Sequence, residues 1–231
     1  MKTQILGDGV AAMMLASHAD ELPNHEISIV HPSGAPITRD HMLGFWKMDG
    51  LEMAVESSRT SWSKWAIITE ANKSVMHSDK HAYHIMHKAN YLHNCREKAE
   101  QHGVRFIEES EMIISESTQT FDSRPPRASK NAMLQHFLGQ EVEVDKPVFD
   151  PSTAILMDFR VDQSKGMHFI YLLPYSPTQA LVESTLFTTT VLERQFYVDA
   201  INEHLRDHYG ASITNIIHEE QGVIPMGTLS P

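Results

Sequence analysis

One cysteine, Cys95, in 231 residues rules out an internal disulfide, as expected of a chain kept in a reducing compartment. Basic residues are also scarce. Nineteen Lys and Arg against 30 Asp and Glu give a formal charge of −11. Such a surface repels a phosphate backbone, so nucleic acid is not an expected partner, although the fifteen histidines would weaken that repulsion at acidic pH. No run approaches the ~20 consecutive apolar residues that span a bilayer. Met1-Lys2-Thr3-Gln4-Ile5-Leu6 runs straight into a glycine turn without the apolar core of a signal peptide. The expected location is cytoplasmic, with any membrane met from the side. There is no internal repeat and no low-complexity tract.

What is present is the composition of a folded chain, 41% apolar and 21% charged. Residues 3–6 predict a short strand, Gly7-Asp8-Gly9 a turn, Val10 to Ala16 a small-residue helix, and Ile27-Ser28-Ile29-Val30 a second strand ended by His31-Pro32-Ser33-Gly34. This is a β-α-β unit of about the expected ~30 residues. Gly7-x-Gly9-x-x-Ala12 is the dinucleotide fingerprint in its Ala-ending form. The first glycine makes the turn and the second admits a pyrophosphate close to the backbone. Ala12 lets the helix pack tightly, and the helix N-terminus offers N–H groups to phosphate. The second strand ends in His31, where Asp or Glu would hold a ribose hydroxyl. An ordinary strand–turn–helix that binds nothing fits the same residues.

Residues 35–75 read as irregular and tryptophan-rich (Trp46, Trp62, Trp65), and 77–102 as a helix, with Gly103 as its cap. On that helix His77, His81 and His84 would share a face, with His87 three residues on from His84. A solvated face explains them better than a metal, since no Cys pair or His-Glu-x-x-His accompanies them. No metal ligands are therefore assigned. Cys95 is expected to be a half-buried core thiol. Short strands are expected near 104–107, 111–115 and 118–122, before the break at Asp122-Ser123-Arg124-Pro125-Pro126.

Four β-rich runs follow, near 134–145, 153–162, 167–173 and 179–187, and their short turns favour an antiparallel meander. Val191, Leu192, Phe196, Ala200, Ile201 and Leu205 mark a helix ending at Gly210, and a strand is expected near 212–219. The expected fold is α/β: a Rossmann-like nucleotide-binding layer with an antiparallel substrate sheet. Its parts would be residues 1–132, the sheet at 133–190, and a helix and strand at 191–231 returning to the first part. In the last run of the sheet, alternation puts Leu181, Glu183, Thr185 and Phe187 on one face. A carboxyl among Leu181 and Phe187 loses hydration, which raises its proton affinity and suits it to donate a proton. A glutamate at a sheet rim, or paired with a lysine, fits the same spacing.

The segments Leu156-Met157-Asp158-Phe159-Arg160-Val161, His168-Phe169-Ile170-Tyr171-Leu172-Leu173-Pro174-Tyr175-Ser176 and Leu181-Val182-Glu183-Ser184-Thr185 resemble bacterial-type lycopene β-cyclases. So do Asp122-Ser123-Arg124-Pro125, Leu134-Gln135-His136-Phe137-Leu138-Gly139 and Gly222-Val223-Ile224-Pro225-Met226. Gly7-Asp8-Gly9 and Gly44-Phe45-Trp46 fall where that family has its flavin fingerprint and an aromatic segment. The resemblance implies a peripherally membrane-associated flavoprotein that closes the linear ψ-ends of lycopene, or a related linear carotenoid, into β-rings without net oxidation. Its implied cofactor is reduced FAD, with NAD(P)H as a possible reductant. Glu183 carries over as the essential acid, and Gly7, Asp8, Gly9, Ala12, His31, Asp122 and Arg124 as flavin-site positions.

Three departures accompany it. The residue after the essential glutamate is usually acidic and is Ser184 here, which bears on a second carboxylate acting as base or stabiliser. His31 replaces an acidic residue before Pro32. Family chains also continue beyond Met226 into a glycine-rich flavin-binding segment, so a C-terminally truncated portion is expected. Another flavin enzyme of the same fold, a hydroxylase or prenyl-lipid reductase, would differ by consuming NAD(P)H for each product. An inactive carotenoid or lipid binder would bind lycopene with no activity for Glu183→Gln to lose.

Overall fold

A computed structural model describes residues 1–34, 41–113, 115, 118–125, 129 and 131–226. In chain order the elements are β1 (Lys2–Leu6), α1 (Val10–Ser17), β2 (Glu26–His31), β3 (Met42–Trp46), α2 (Glu52–Glu56), β4 (Ser58–Trp62), β5 (Lys64–Ile68), β6 (Lys73–His77) and β7 (Tyr83–His87). There follow α3 (Lys88–Gln101), β8 (Arg105–Glu108), β9 (Thr118–Asp122), β10 (Leu134–Val144), β11 (Thr153–Asp158), β12 (Met167–Pro174), β13 (Gln179–Thr188), α4 (Arg194–Tyr209) and β14 (Ile213–Pro225). Two compact units result. Met1–Leu43, Asp49–Arg59 and Ile85–Pro125 form one, and Gly44–Met48, Thr60–His84 and Pro126–Pro231 the other. The boundary falls within β3, β4 and β7, which form a three-stranded sheet in the order β3-β7-β4.

The first unit carries a parallel sheet in the order β8-β2-β1-β9. Because β1 lies between β2 and β9, the connections from β1 to β2 and from β8 to β9 lead to opposite sides of β1. The carboxyl ends of the strands beside β1 are therefore a topological switch point, where open α/β sheets bind ligands. Ala12 and Ala16 of α1 are buried, as are Tyr91, Cys95 and Ala99 of α3, and small residues let α1 and α3 pack together. Cys95 is sealed rather than half-buried, with Sγ 3.6 Å from Met53 Sδ.

The second unit is built on a seven-stranded sheet in the order β14-β10-β13-β12-β11-β5-β6. β11, β12 and β13 form the expected antiparallel succession, but β10 pairs with β13 and β14, while β5 joins β11 in parallel. Helix α4 covers one face through Tyr197, Ile201 and Leu205, which meet Leu138, Val182 and Leu186 in the core. Burying each such aliphatic side chain contributes roughly 1.5–3 kcal/mol. Gly210, at φ 59°, ends the helix in the left-handed conformation.

Several expectations change. The helix begins at Lys88, not His77, because Tyr83–His87 pairs as the central strand between β3 and β4, with His84, Ile85 and Met86 buried in succession. Residues 41–77 hold four strands and a short helix rather than irregular chain. Of the expected strand at 111–115, Glu109–Glu111 is a 3-10 turn and residue 114 lies outside the described residues. Residues 191–226 join the second unit, because β14 pairs along β10 and α4 packs on β13, instead of returning to the first unit. β14 also runs on through Gly222 to Pro225.

Candidate functional site

In the first unit the glycine turn is built as the fingerprint requires. Gly7 has φ +95°, and a Cβ there would come within 2.9 Å of Ser123 Oγ, so only glycine fits between β1 and the end of β9. Its N–H donates to Val30 O at 2.9 Å, fixing the turn against β2. Gly9 has ordinary extended geometry with open space before its α-carbon, so its requirement is access rather than conformation. The first α1 hydrogen bond runs from Met13 N to Gly9 O, which places the preceding amides at the helix N-terminus.

The other positions expected from sequence to line a flavin site gather at the same strand ends. His31 closes β2, and its Nδ1 lies 2.9 Å from Asp8 Oδ2. A carboxylate therefore stands beside the end of β2 even though β2 does not supply it. Asp122 ends β9 and accepts two hydrogen bonds from the Arg124 guanidinium, at 2.9 and 2.7 Å. These bonds lower its pKa to about 2. Ser123, which the sequence reading did not single out, donates from Oγ to Leu6 O and tethers this segment to the turn.

In the second unit Glu183 lies on β13 in the expected alternation: Ala180, Val182, Ser184 and Leu186 face the α4 side, and Leu181, Glu183 and Thr185 the other. Burial raises the Glu183 pKa to about 8, the Thr185 hydroxyl opposes this by donating to Oε1 at 2.6 Å, and the charge of Glu220 adds to the rise. The carboxyl is therefore predominantly protonated at neutral pH. Ser184 points away from it, into a 2.8 Å hydrogen bond with His168 Nε2. An acidic side chain at 184 would stand on the opposite face from Glu183.

Aromatic rings surround this face. Tyr171 is opposite Glu183 on β12, and Phe169 lies 5.2 Å from Tyr171 and 6.2 Å from Phe187 between ring centroids. Tyr83 is also near enough for its charge to interact with Glu183, and burial raises its pKa first of all. Its ring contacts Trp46 at 5.0 Å, and Trp46 contacts Trp65 at 4.6 Å. Gly44 is required here because any Cβ would collide with the Tyr83 hydroxyl. Neither tyrosine was assigned a role from sequence, since β7 had been read as helix and Tyr171 as one more apolar position. His77, His81, His84 and His87 share no helix face: they occupy the end of β6, a turn, and β7. Among the described residues no cluster of three or more His, Cys, Asp or Glu is arranged to hold a metal ion.

Residues 4–231 match the family model described as lycopene cyclase protein. Lycopene beta-cyclase from Pantoea ananas is 36% identical over 98 residues, 42% of this chain and 25% of that protein. Lycopene beta-cyclase from Paracoccus sp. is 40% identical over 75 residues, 32% of this chain and 19% of that protein. The matched stretches thus span about a quarter or less of these curated relatives. In fold, the chain is similar to a geranylgeranyl bacteriochlorophyll reductase-like protein from Thermoplasma acidophilum, with TM-score 0.66, 12% identity, and coverage of 97% of this chain and 66% of the other. A flavin-dependent halogenase from Xanthomonas campestris gives TM-score 0.64 at 10% identity, covering 98% and 62%. With a family match that runs almost from end to end, the chain belongs to the lycopene cyclase protein family.

Proposed function

We propose that the chain carries the acid-bearing part of a carotenoid cyclase, which converts the linear ψ-ends of lycopene or a related linear carotenoid into β-rings. The observation that carries this reading is Glu183, a carboxyl whose proton affinity is raised by burial beside the rings of Tyr171 and Phe169. Protonation of the terminal alkene by Glu183 breaks its O–H bond and forms a C–H bond, leaving a tertiary cation. The neighbouring alkene attacks that carbon, the ring closes, and loss of a ring proton to carboxylate restores the acid. No electrons are gained or lost. The cation needs exclusion of water, which apolar strands provide, and the faces of Tyr171 and Phe169 would attract positive charge.

The first unit fits the dinucleotide part of FAD. Space before Gly9, the α1 N-terminus and the strand ends at a switch point supply what a pyrophosphate needs. Gly7, Gly9 and Ala12 would hold the backbone approach, and Asp8, His31, Asp122 and Arg124 the polar contacts. When bound, reduced FAD would supply an electron-rich ring system, with NAD(P)H needed only to reduce it. No described helix is long and apolar enough to cross a membrane. A carotenoid substrate is carried in lipid, so contact from the membrane surface is the expected route of supply.

The test is Glu183→Ala in the full-length protein. Ring formation from lycopene should fall to background while flavin binding stays unchanged. Cyclisation at the unmodified rate would refute the assignment.

A further inference from the structure

Glu183 is one member of a row that crosses four strands. In register, Glu220 of β14 faces Gly139 of β10, Gly139 faces Glu183 of β13, and Glu183 faces Tyr171 of β12. Gly139 separates the two carboxylate side chains without filling the space between them. A Cβ on it would lie 3.3 Å from Glu220 Cγ and 3.4 Å from Glu183 Oε2. Glu220 is only 5% exposed, so solvent does little to screen its charge.

The outer end of the row differs from the inner one. His218 Nε2 stands 3.8 Å from Glu220 Oε2, whereas Glu183 has the Thr185 hydroxyl as donor and two tyrosines nearby. Glu141, opposite His218, and Glu143 alternate onto the same face of β10 as Gly139. Two carboxylates in one poorly solvated site do not both ionise easily, and the charge of Glu220 opposes ionisation of Glu183.

We infer that Glu220 is a positioning residue for Glu183: a second buried carboxylate, aligned with it across Gly139, whose negative charge keeps Glu183 the proton carrier of the pair. The inference rests on the proposed role of Glu183 as acid. The same charge acts twice in the cycle. Before reaction it opposes loss of the Glu183 proton to solvent. Once that proton is on the alkene, two adjacent carboxylates favour its return, so the ring proton goes back to Glu183 and the atoms balance. Glu220 itself forms and breaks no bond. Ser184 supplies no second carboxylate beside Glu183 in sequence, whereas strand pairing supplies one from β14.

The experiment is an infrared titration of the protonated-carboxyl C=O band of Glu183, assigned by its loss in Glu183→Gln. In the unmodified chain the band should titrate near 8. In Glu220→Gln the midpoint should fall by about half a unit or more, with Glu220→Asp recovering most of the shift. In the full-length protein the alkaline limb of kcat/KM should move down in parallel. An unmoved midpoint in Glu220→Gln would overturn the inference. If that variant does not fold, the reciprocal measurement decides: Glu183→Gln should lower the midpoint of the Glu220 carboxyl if the two are coupled and leave it unchanged if they are not. A Glu183 band titrating near 4.5 in the unmodified chain would instead refute the acid role itself, so the two failures are distinct.

Discussion

At position 183 the sequence places an ionisable group where ionisation is costly, and the cost has a measurable sign. Folding raises the proton affinity of Glu183 from 4.5 to about 8, so the folded chain binds more protons than the unfolded chain between those values. Its contribution to stability is therefore full below pH 4.5 and is lost as pH rises through 8. Glu183→Gln removes the penalty. Its melting temperature should exceed that of the unmodified chain at pH 8 by the equivalent of a few kcal/mol at most, with the gap closing near pH 5. Equal melting temperatures at both pH values would contradict the burial argument. Alternation along a single strand was enough to place Glu183 on its face. Glu220 was not legible, because its relation to Glu183 exists only through the register of β14 on β10, which neither strand carries alone.

The glycine turn and helix α4 make separable predictions at the level of elements. Gly7→Ala must adopt φ +95° against Ser123, so it should destabilise the chain by about 1–3 kcal/mol in urea unfolding. Gly9→Val has no such obstacle. It should stay within about 0.5 kcal/mol of the unmodified chain yet weaken flavin binding, followed by quenching of flavin fluorescence. Matching losses of stability in both variants would remove the reason for assigning Gly9 to a ligand.

In α4, burial lowers the His204 pKa to about 4, against the opposing charge of Asp158, whose Oδ2 lies 3.5 Å from Nε2. The unfolded chain then binds more protons between pH 4 and 6.5. Stability is full above 6.5 and lost by up to about 3 kcal/mol on the way to 4. His204→Leu should therefore lose less of its urea midpoint between pH 7 and 5 than the unmodified chain does. These elements differed in legibility for a physical reason. The β-α-β unit is specified by contiguous residues, as are the ends of α4. Strand β7 was hidden because its apolar residues coincide with helical spacing, and only its pairing with β3 and β4 decides between the two.

For the whole molecule, the change of pattern near residue 133 marks the start of β10, but it does not give the division into units, since Gly44–Met48 and Thr60–His84 also belong to the second. The chain passes between units along β3, β4 and β7, and residues 191–226 stay with the sheet that β14 extends. The proposed proton shuttle requires a redox-neutral reaction. Product formed under turnover should exceed the NAD(P)H consumed many-fold, whereas one-to-one stoichiometry would point to reductase or hydroxylase chemistry.

Cys95 is the chain's one thiol and is completely enclosed, with burial raising its pKa. A thiol-reactive chromophore should leave the native protein unlabelled over the time in which urea-unfolded chain takes up one equivalent. The native surface then has no background reactivity. A cysteine introduced at an exposed position of either unit becomes a unique attachment point, so distances between the units can be measured with paired spectroscopic labels without first deleting a native residue.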